Sequence, residues 1–333
     1  MSLGIGVIGA GVMGADHVRT IANAVARAHV AAVCDADASR AEAAAASAHG
    51  ARAMTDPFAL IADPAVQAVV VVSPDETHLA YTLAGLKAGK PVLCEKPLAP
   101  TQAECLQIIE AETAIGRRMV QVGFMRRFDP AYEDMKKGLD AGAIGPALLL
   151  HCVHRNATAP VFFHSMMTIT NAAVHELDII RWLLSDEIVR IHVMRSRPTS
   201  ASKSRDPIFL VVETASGVLA DVEVFVNAAY GYDIRTELVG EKGTLTMAPP
   251  VTAELRSTGH FSFPFAGDWR PRFAAAYRRQ MQAWVDSIGS GQPVGASAWD
   301  GLVAIAIAEA GIKSLETGAA VDIALPPKPA LYG

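Results

Sequence analysis

The chain of 333 residues has room for about two domains, and a hydrophobic content of 51% can fill two cores. A net charge of -5, a pI of about 6.1 and the lack of any long basic run speak against a nucleic-acid partner. The four cysteines (Cys34, Cys94, Cys105, Cys152) lack metal-ribbon spacing, and no apolar run approaches the ~18 residues of a membrane helix. A metal-free protein of a reducing cytoplasm is therefore expected, with no signal peptide and no membrane partner.

The first 122 residues alternate strand and helix. Gly4 to Gly9 reads as a short apolar strand that runs into Gly9-Ala10-Gly11-Val12-Met13-Gly14. In this G-x-G-x-x-G, Gly9 permits the tight turn, Gly11 lets the backbone approach a pyrophosphate, and Gly14 lets helix pack on strand. The helix that follows, Val12 to Ala28, aims the N–H groups of Val12 and Met13 at the phosphates. A second strand, Val30 to Cys34, ends in Asp35, about 20 residues beyond the last glycine. Asp35 would accept from ribose hydroxyls and repel a 2′-phosphate, which favours NAD over NADP. Arg40, five residues on, weakens that preference, since it could stack on adenine or meet a phosphate.

The alternation continues with helices Ser39 to His49 and Phe58 to Ile61, and a buried strand, Gln67 to Val72, ended by Ser73-Pro74. Helix Thr77 to Ala88, strand Pro91 to Cys94, helix Thr101 to Ile115 and strand Arg118 to Val122 complete the pattern. This is the signature of a doubly wound parallel sheet, a Rossmann unit over 1–122. Ser73 and Glu95 fall at carboxyl ends of strands, where such sheets bind ligands, and His78 opens the next helix as a cofactor-side candidate. Glu95-Lys96-Pro97 sets a lysine on a stiff turn, because proline lacks an N–H and restricts the residue before it. Such a lysine can hold a substrate oxygen or pass a proton; the bland alternative is a surface turn.

From 123 to 333 the pattern changes to an α+β unit. A helix, Pro130 to Leu139, precedes strands Ala147 to His154, Ile188 to Met194, Ile208 to Thr214, Val218 to Val226 and Ile234 to Val239. Ser216-Gly217 and Gly240 to Gly243 turn hairpins, so a large, mainly antiparallel open sheet is expected. Asp221 to Val226 alternates in polarity, which leaves one sheet face for water or a partner subunit. A homo-oligomer, dimer or tetramer, is expected through it. Helices near Arg272 to Ile288 and Asp300 to Leu315 close the chain. Within an expected helix from Asn171 to Leu184, positions 171, 175 and 178 share one face at α-helical spacing. His175 there can serve as a general base, or can be a core histidine held by Asp178.

Taken together, Gly9 to Gly14, Glu95-Lys96-Pro97, Gly123 to Tyr132, His175-Glu176-Leu177-Asp178 with Arg181-Trp182, Ala276-Tyr277 and Asp300-Gly301 resemble the Gfo/Idh/MocA dehydrogenases. Within that family they resemble the inositol 2-dehydrogenases. The resemblance implies that Lys96 orients the reacting hydroxyl, that His175 takes its proton, and that Arg126, His154, Asn156 and Tyr232 line a polyol site. Tyr232 is preferred to Tyr230 without a deciding signal, and Tyr277 would close the pocket near the nicotinamide. It also implies a cis Lys96–Pro97 bond. The chain departs from the family at Asn171, where an aspartate is usual, so position 171 enters the catalytic set without a charge. The reading is an NAD-dependent dehydrogenase acting on a secondary hydroxyl of a cyclic polyol or sugar. The alternatives are a sugar-aldose or trans-diol dehydrogenase, or a non-catalytic NAD-binding sensor.

Overall fold

The computed structural model describes residues 2–161, 163–200, 206–248 and 253–333. The first unit opens with β1 (Leu3–Ile8), α1 (Val12–Ala24), β2 (Ala28–Cys34), α2 (Ala38–Ala46), β3 (Arg52–Met54) and α3 (Pro57–Ala62). It continues with β4 (Ala68–Val71), α4 (His78–Lys87), β5 (Val92–Cys94), α5 (Gln102–Ile115) and β6 (Val120–Val122). All six strands pair in parallel, in the order β3-β2-β1-β4-β5-β6. That is the doubly wound dinucleotide-binding order, and its direction reverses between β1 and β4, where ligands bind. The central strands are apolar throughout because both faces of the sheet are covered: Val69, Val70, Val71, Val92, Leu93 and Cys94 are fully buried.

Local chemistry sets the helix ends. Thr101 and Glu104 form a reciprocal capping box on α5, and Gly116, at φ 77°, closes that helix. Asp37 and Asp56 cap α2 and α3 through their carboxylates. Helix α1 ends at Ala24 rather than at the expected Ala28. Arg27 turns the chain at φ 65°, and β2 starts at Ala28.

The second unit contains α6 (Pro130–Asp140), β7 (Ala147–Arg155), α7 (Val174–Leu184), β8 (Ile188–Arg195), β9 (Ile208–Thr214), β10 (Leu219–Phe225), β11 (Asp233–Gly240) and β12 (Gly243–Thr246). A small hairpin of β13 (Leu255–Ser257) and β14 (His260–Ser262) follows, then α8 (Trp269–Ser290), α9 (Ala298–Thr317) and β15 (Val321–Asp322). The seven-stranded sheet runs β12-β11-β7-β10-β9-β8-β15. Only β7 and β10 pair in parallel; the other pairs are antiparallel. The sheet's inner face is apolar: Leu150, Cys152, Val222, Val224, Leu210, Val212 and Leu238 are buried. Inside α8, Phe273 departs from helical geometry, so the helix bends there.

Cα packing does not group the residues at a single cut between 122 and 123. Residues 276–305 and 325–333 group with 1–128, and 306–324 with 129–275. The physical reason is a shared core: Met281, Trp284 and Val285 of α8 pack into the cluster that holds Val7, Ile21, Val70 and Leu93. At the chain's end, the Tyr332 hydroxyl donates to buried Glu112 of α5 at 2.6 Å.

One expected helix also differs. Residues Thr168–Ala173 form a π-helical turn, and α geometry begins only at Val174. Asn171 therefore stands in the π-helical turn that precedes the α-helix carrying His175 and Asp178.

Candidate active site

In the first unit the three loop glycines have different reasons to be glycine. Gly9 has φ 103°, and a Cβ there would lie 2.5 Å from the Val72 carbonyl oxygen. A Cβ on Gly14 would lie 1.9 Å from the Gly9 carbonyl oxygen. Both are demanded by the protein's own backbone. A Cβ on Gly11 would meet nothing within 4 Å. The open side of Gly11 thus fits a ligand pressed against the main chain. Gly11 also stands at the N-cap of α1 without a side-chain cap, which leaves the first helical N–H groups, beginning at exposed Val12 and half-buried Met13, open to an anion. This is the cradle a dinucleotide pyrophosphate requires.

Asp35 stands just past β2, and its carboxylate is already oriented. It accepts the Ala10 N–H at 2.7 Å and the Asp37 N–H at 2.9 Å. A carboxylate has about four lone-pair sites, so capacity for ribose hydroxyls remains. Arg40 is exposed and lies 3.6 Å from Asp37, with which it pairs.

At the next strand end, the Ser73 hydroxyl bonds the Thr77 hydroxyl at 2.6 Å. The His78 ring is buried, with Nδ1 2.7 Å from the Pro97 carbonyl oxygen and Nε2 2.9 Å from that of Ser73. The ring is thus engaged with the two loops on either side of it rather than open to a ligand.

Glu95 continues from β5, where its N–H still bonds Val71. Its side chain turns inward to His17 of α1, Oε1 to Nε2 at 2.8 Å, with both groups buried. The second oxygen accepts the Lys96 N–H at 3.2 Å. Gly123 makes room for this carboxylate, because a Cβ there would lie 2.6 Å from Glu95 Oε2. Tyr277 stands edge-on to His17 at 5.8 Å between ring centroids. The Lys96–Pro97 bond is cis. Burial pushes the Lys96 ammonium below the ordinary lysine value; Glu95 and Asp75 oppose this, and buried Arg126 reinforces it.

The second unit gathers another group. His154, at the end of β7, holds Glu176 of α7 through Nδ1 to Oε2 at 2.9 Å, and both side chains are almost fully buried. The His154 ring lies 6.4 Å from that of His175 and 6.0 Å from that of Tyr232. Tyr232 is itself edge-on to Phe273. By contrast Tyr230 is surface-exposed, donating to Asp233 at 2.5 Å and accepting from Arg155 at 3.0 Å. Asn156 fixes its backbone to Phe225 and Ala228, and its buried Oδ1 accepts no hydrogen bond from the described residues. Asp178 is buried and Asn171 partly exposed.

Glu176 and His17 were absent from the expected set. Both had a faint signal. His17 lies on the buried stripe of α1 with Gly14, Val18 and Ile21, and a histidine in an apolar stripe needs a polar partner. Glu176 sits in a helix buried nearly all round, from Val174 to Arg181.

A pyrophosphate cradle followed by an oriented acid, and a lysine at a strand end in the same sheet, define a dinucleotide-dependent oxidoreductase. The comparisons agree. Residues 3–124 match the model of the oxidoreductase family with an NAD-binding Rossmann fold, and residues 136–323 match that family's C-terminal alpha/beta domain. The chain belongs to this family, Gfo/Idh/MocA. It is 56% identical over 336 residues to Inositol 2-dehydrogenase 1 of Saccharopolyspora erythraea, covering 100% of both chains. It is 46% identical over 335 residues to Inositol 2-dehydrogenase of Pseudomonas fluorescens, again covering 100% of both. Its fold matches the crystal structure of myo-inositol dehydrogenase from Lactobacillus casei in complex with NAD(H) and myo-inositol, with TM-score 0.96, 34% identity and 100% of both chains covered.

Proposed function

We propose that the protein is an NAD-dependent dehydrogenase that oxidises a secondary hydroxyl of an inositol-like cyclic polyol to a ketone. The observation that carries this is the complementary equipment of the two units. One holds the Gly11 cradle and a lysine of lowered pKa. The other holds a buried cluster of His154, Glu176, His175 and Tyr232. The relatives named as inositol dehydrogenases supply the substrate class.

In this reading Gly9, Gly11, Val12, Met13, Gly14, Asp35, Ser73 and Glu95 serve the dinucleotide. NAD held there would supply the acceptor for the hydride that leaves the carbinol carbon. His175 takes the hydroxyl proton as general base, and Lys96 orients the oxygen and assists the transfer. Arg126, His154, Asn156 and Tyr232 hold the other hydroxyls. Asn156 Oδ1 supplies an acceptor, and Glu176 orients the His154 ring through Nδ1. Tyr277 acts near the nicotinamide. In this division of labour residues 1–122 bind the cofactor, and residues 123–333 bind the substrate and assemble subunits. Assembly uses the outer face of the seven-stranded sheet, where Leu149, Leu219, Phe209 and Met194 are exposed. No helix among the described residues is long and apolar enough to cross a membrane, and the four cysteines are free, which supports a cytoplasmic setting. The test is NADH formation over a panel of inositol isomers, other cyclic polyols and aldoses. Turnover of an inositol above all aldoses is expected, and no turnover of any cyclic polyol refutes the assignment.

A further inference from the structure

His78 is 1% exposed, yet both its ring nitrogens lie within hydrogen-bond distance of main-chain carbonyl oxygens. A carbonyl oxygen can only accept, and a neutral imidazole has one N–H. A neutral ring would therefore set a bare nitrogen lone pair against a carbonyl lone pair, in a place water does not reach. Only the doubly protonated ring donates to both.

The two carbonyls belong to Ser73, just beyond β4, and Pro97, the residue after Lys96. We propose that His78 is held as an imidazolium and acts as the positioning residue of the Lys96 turn, tying that turn to the Ser73 loop. The role assigned to Lys96 rests on the dehydrogenase reading; the charge on His78 does not. The clamp joins two adjacent strand ends, and the lysine occupies the position next to the clamped carbonyl.

The surrounding groups agree. Burial of the ring opposes its charge, but Cys94 of β5, the Pro97 carbonyl and Asp75 outweigh it and raise the pKa to about 10. Asp75 lies in the turn just before α4, and Lys96 and Glu76 act on it in turn. The Cys94 sulfur also faces the carbonyls of Glu95 and Leu98.

The test has two arms on the full chain. Long-range proton–nitrogen NMR of histidine-labelled protein should show one of the ten rings with both nitrogens protonated at a pH where ordinary histidines are neutral. That signal should vanish in His78→Gln. Its absence from the unmodified protein overturns the proposal, whether or not any polyol is oxidised and whether or not the variant folds. In the second arm, His78→Gln should lower kcat about tenfold or more while the polyol KM changes little, since small misplacements of a catalytic group cost that much. His78→Gln with unchanged kcat would equally overturn it. A wild-type protein inactive on all cyclic polyols would refute the dehydrogenase reading instead, with the NMR signal still deciding the charge.

Discussion

Replacing Gly11 by alanine separates the fold's demands from the cofactor's. Gly11 has φ -66° and ψ -168°, backbone that any residue adopts. The added methyl would meet no protein atom within 4 Å. By itself, Gly11→Ala should leave stability unchanged or raise it by about 0.4–1 kcal/mol, because the unfolded chain loses freedom. If the glycine exists to let a pyrophosphate touch the main chain, the same methyl stands in the ligand's place. NAD affinity should then fall tenfold or more, which is about 1.4 kcal/mol. Gly14→Ala is the contrast: its methyl would lie 1.9 Å from the Gly9 carbonyl oxygen, so folding itself should suffer. Urea melts and calorimetric titration with NAD read the two quantities separately. A Gly11→Ala protein that binds NAD as tightly as wild type would refute the cradle.

The proton-handling pair should respond together: Lys96→Ala and His175→Ala should each lower kcat by about a hundredfold or more, the range of general acid–base catalysis. NAD titration should be unaffected in His175→Ala, and activity within a few-fold of wild type in both variants would exclude the mechanism. Asp35 should make NAD the tighter cofactor, and Asp35→Ser should narrow the gap to NADP while weakening NAD, because the Ala10 N–H also loses its acceptor. Equal affinities in the wild-type protein would mean that Arg40 governs the choice.

Much of this was legible in the sequence because it is local. Gly9 to Gly14, Asp35 and the strand-helix alternation are short-range patterns, and the parallel sheet follows from them. Four kinds of feature were not legible. Strands β3, β12, β13, β14 and β15 span two to four residues, too few for a period to show. The return of α8 into the first core depends on Met281, Trp284 and Val285, which read equally well as any amphipathic stripe. The π-helical turn at Thr168–Ala173 keeps a helix-like sequence, so the pattern does not show that α geometry begins only at Val174. The pairings His17–Glu95 and His154–Glu176 join residues 78 and 22 positions apart. Periodicity shows that such groups are buried, and only the fold shows with whom. The choice between Tyr230 and Tyr232 was of the same kind: one lies against His154 and the other on the surface.

Asn171 brings that lesson to the chemistry. The family resemblance implies an aspartate there, whose charge would favour protonated His175 and so strengthen it as a base. An amide adds no charge. Two carboxylates stand near in the chain: Glu176 bonds His154, and Asp178 lies three residues on from His175 in the same helix, α7. Asn171→Asp should therefore raise the pKa of His175. The base must be neutral to act, so the acid limb of the kcat/KM profile should move to higher pH. A move of about one unit corresponds to roughly 1.4 kcal/mol of added interaction with the protonated ring. Above that limb the stronger base should turn over an inositol faster. The measurement is a pH series for both proteins with one inositol and one aldose. Suppose instead that Glu176 acts on His175 through the His154 ring, 6.4 Å away. A second carboxylate would then crowd a charge already present, and turnover should fall. A profile that does not move, with the substrates ranked as before, would show that position 171 lies outside the active site.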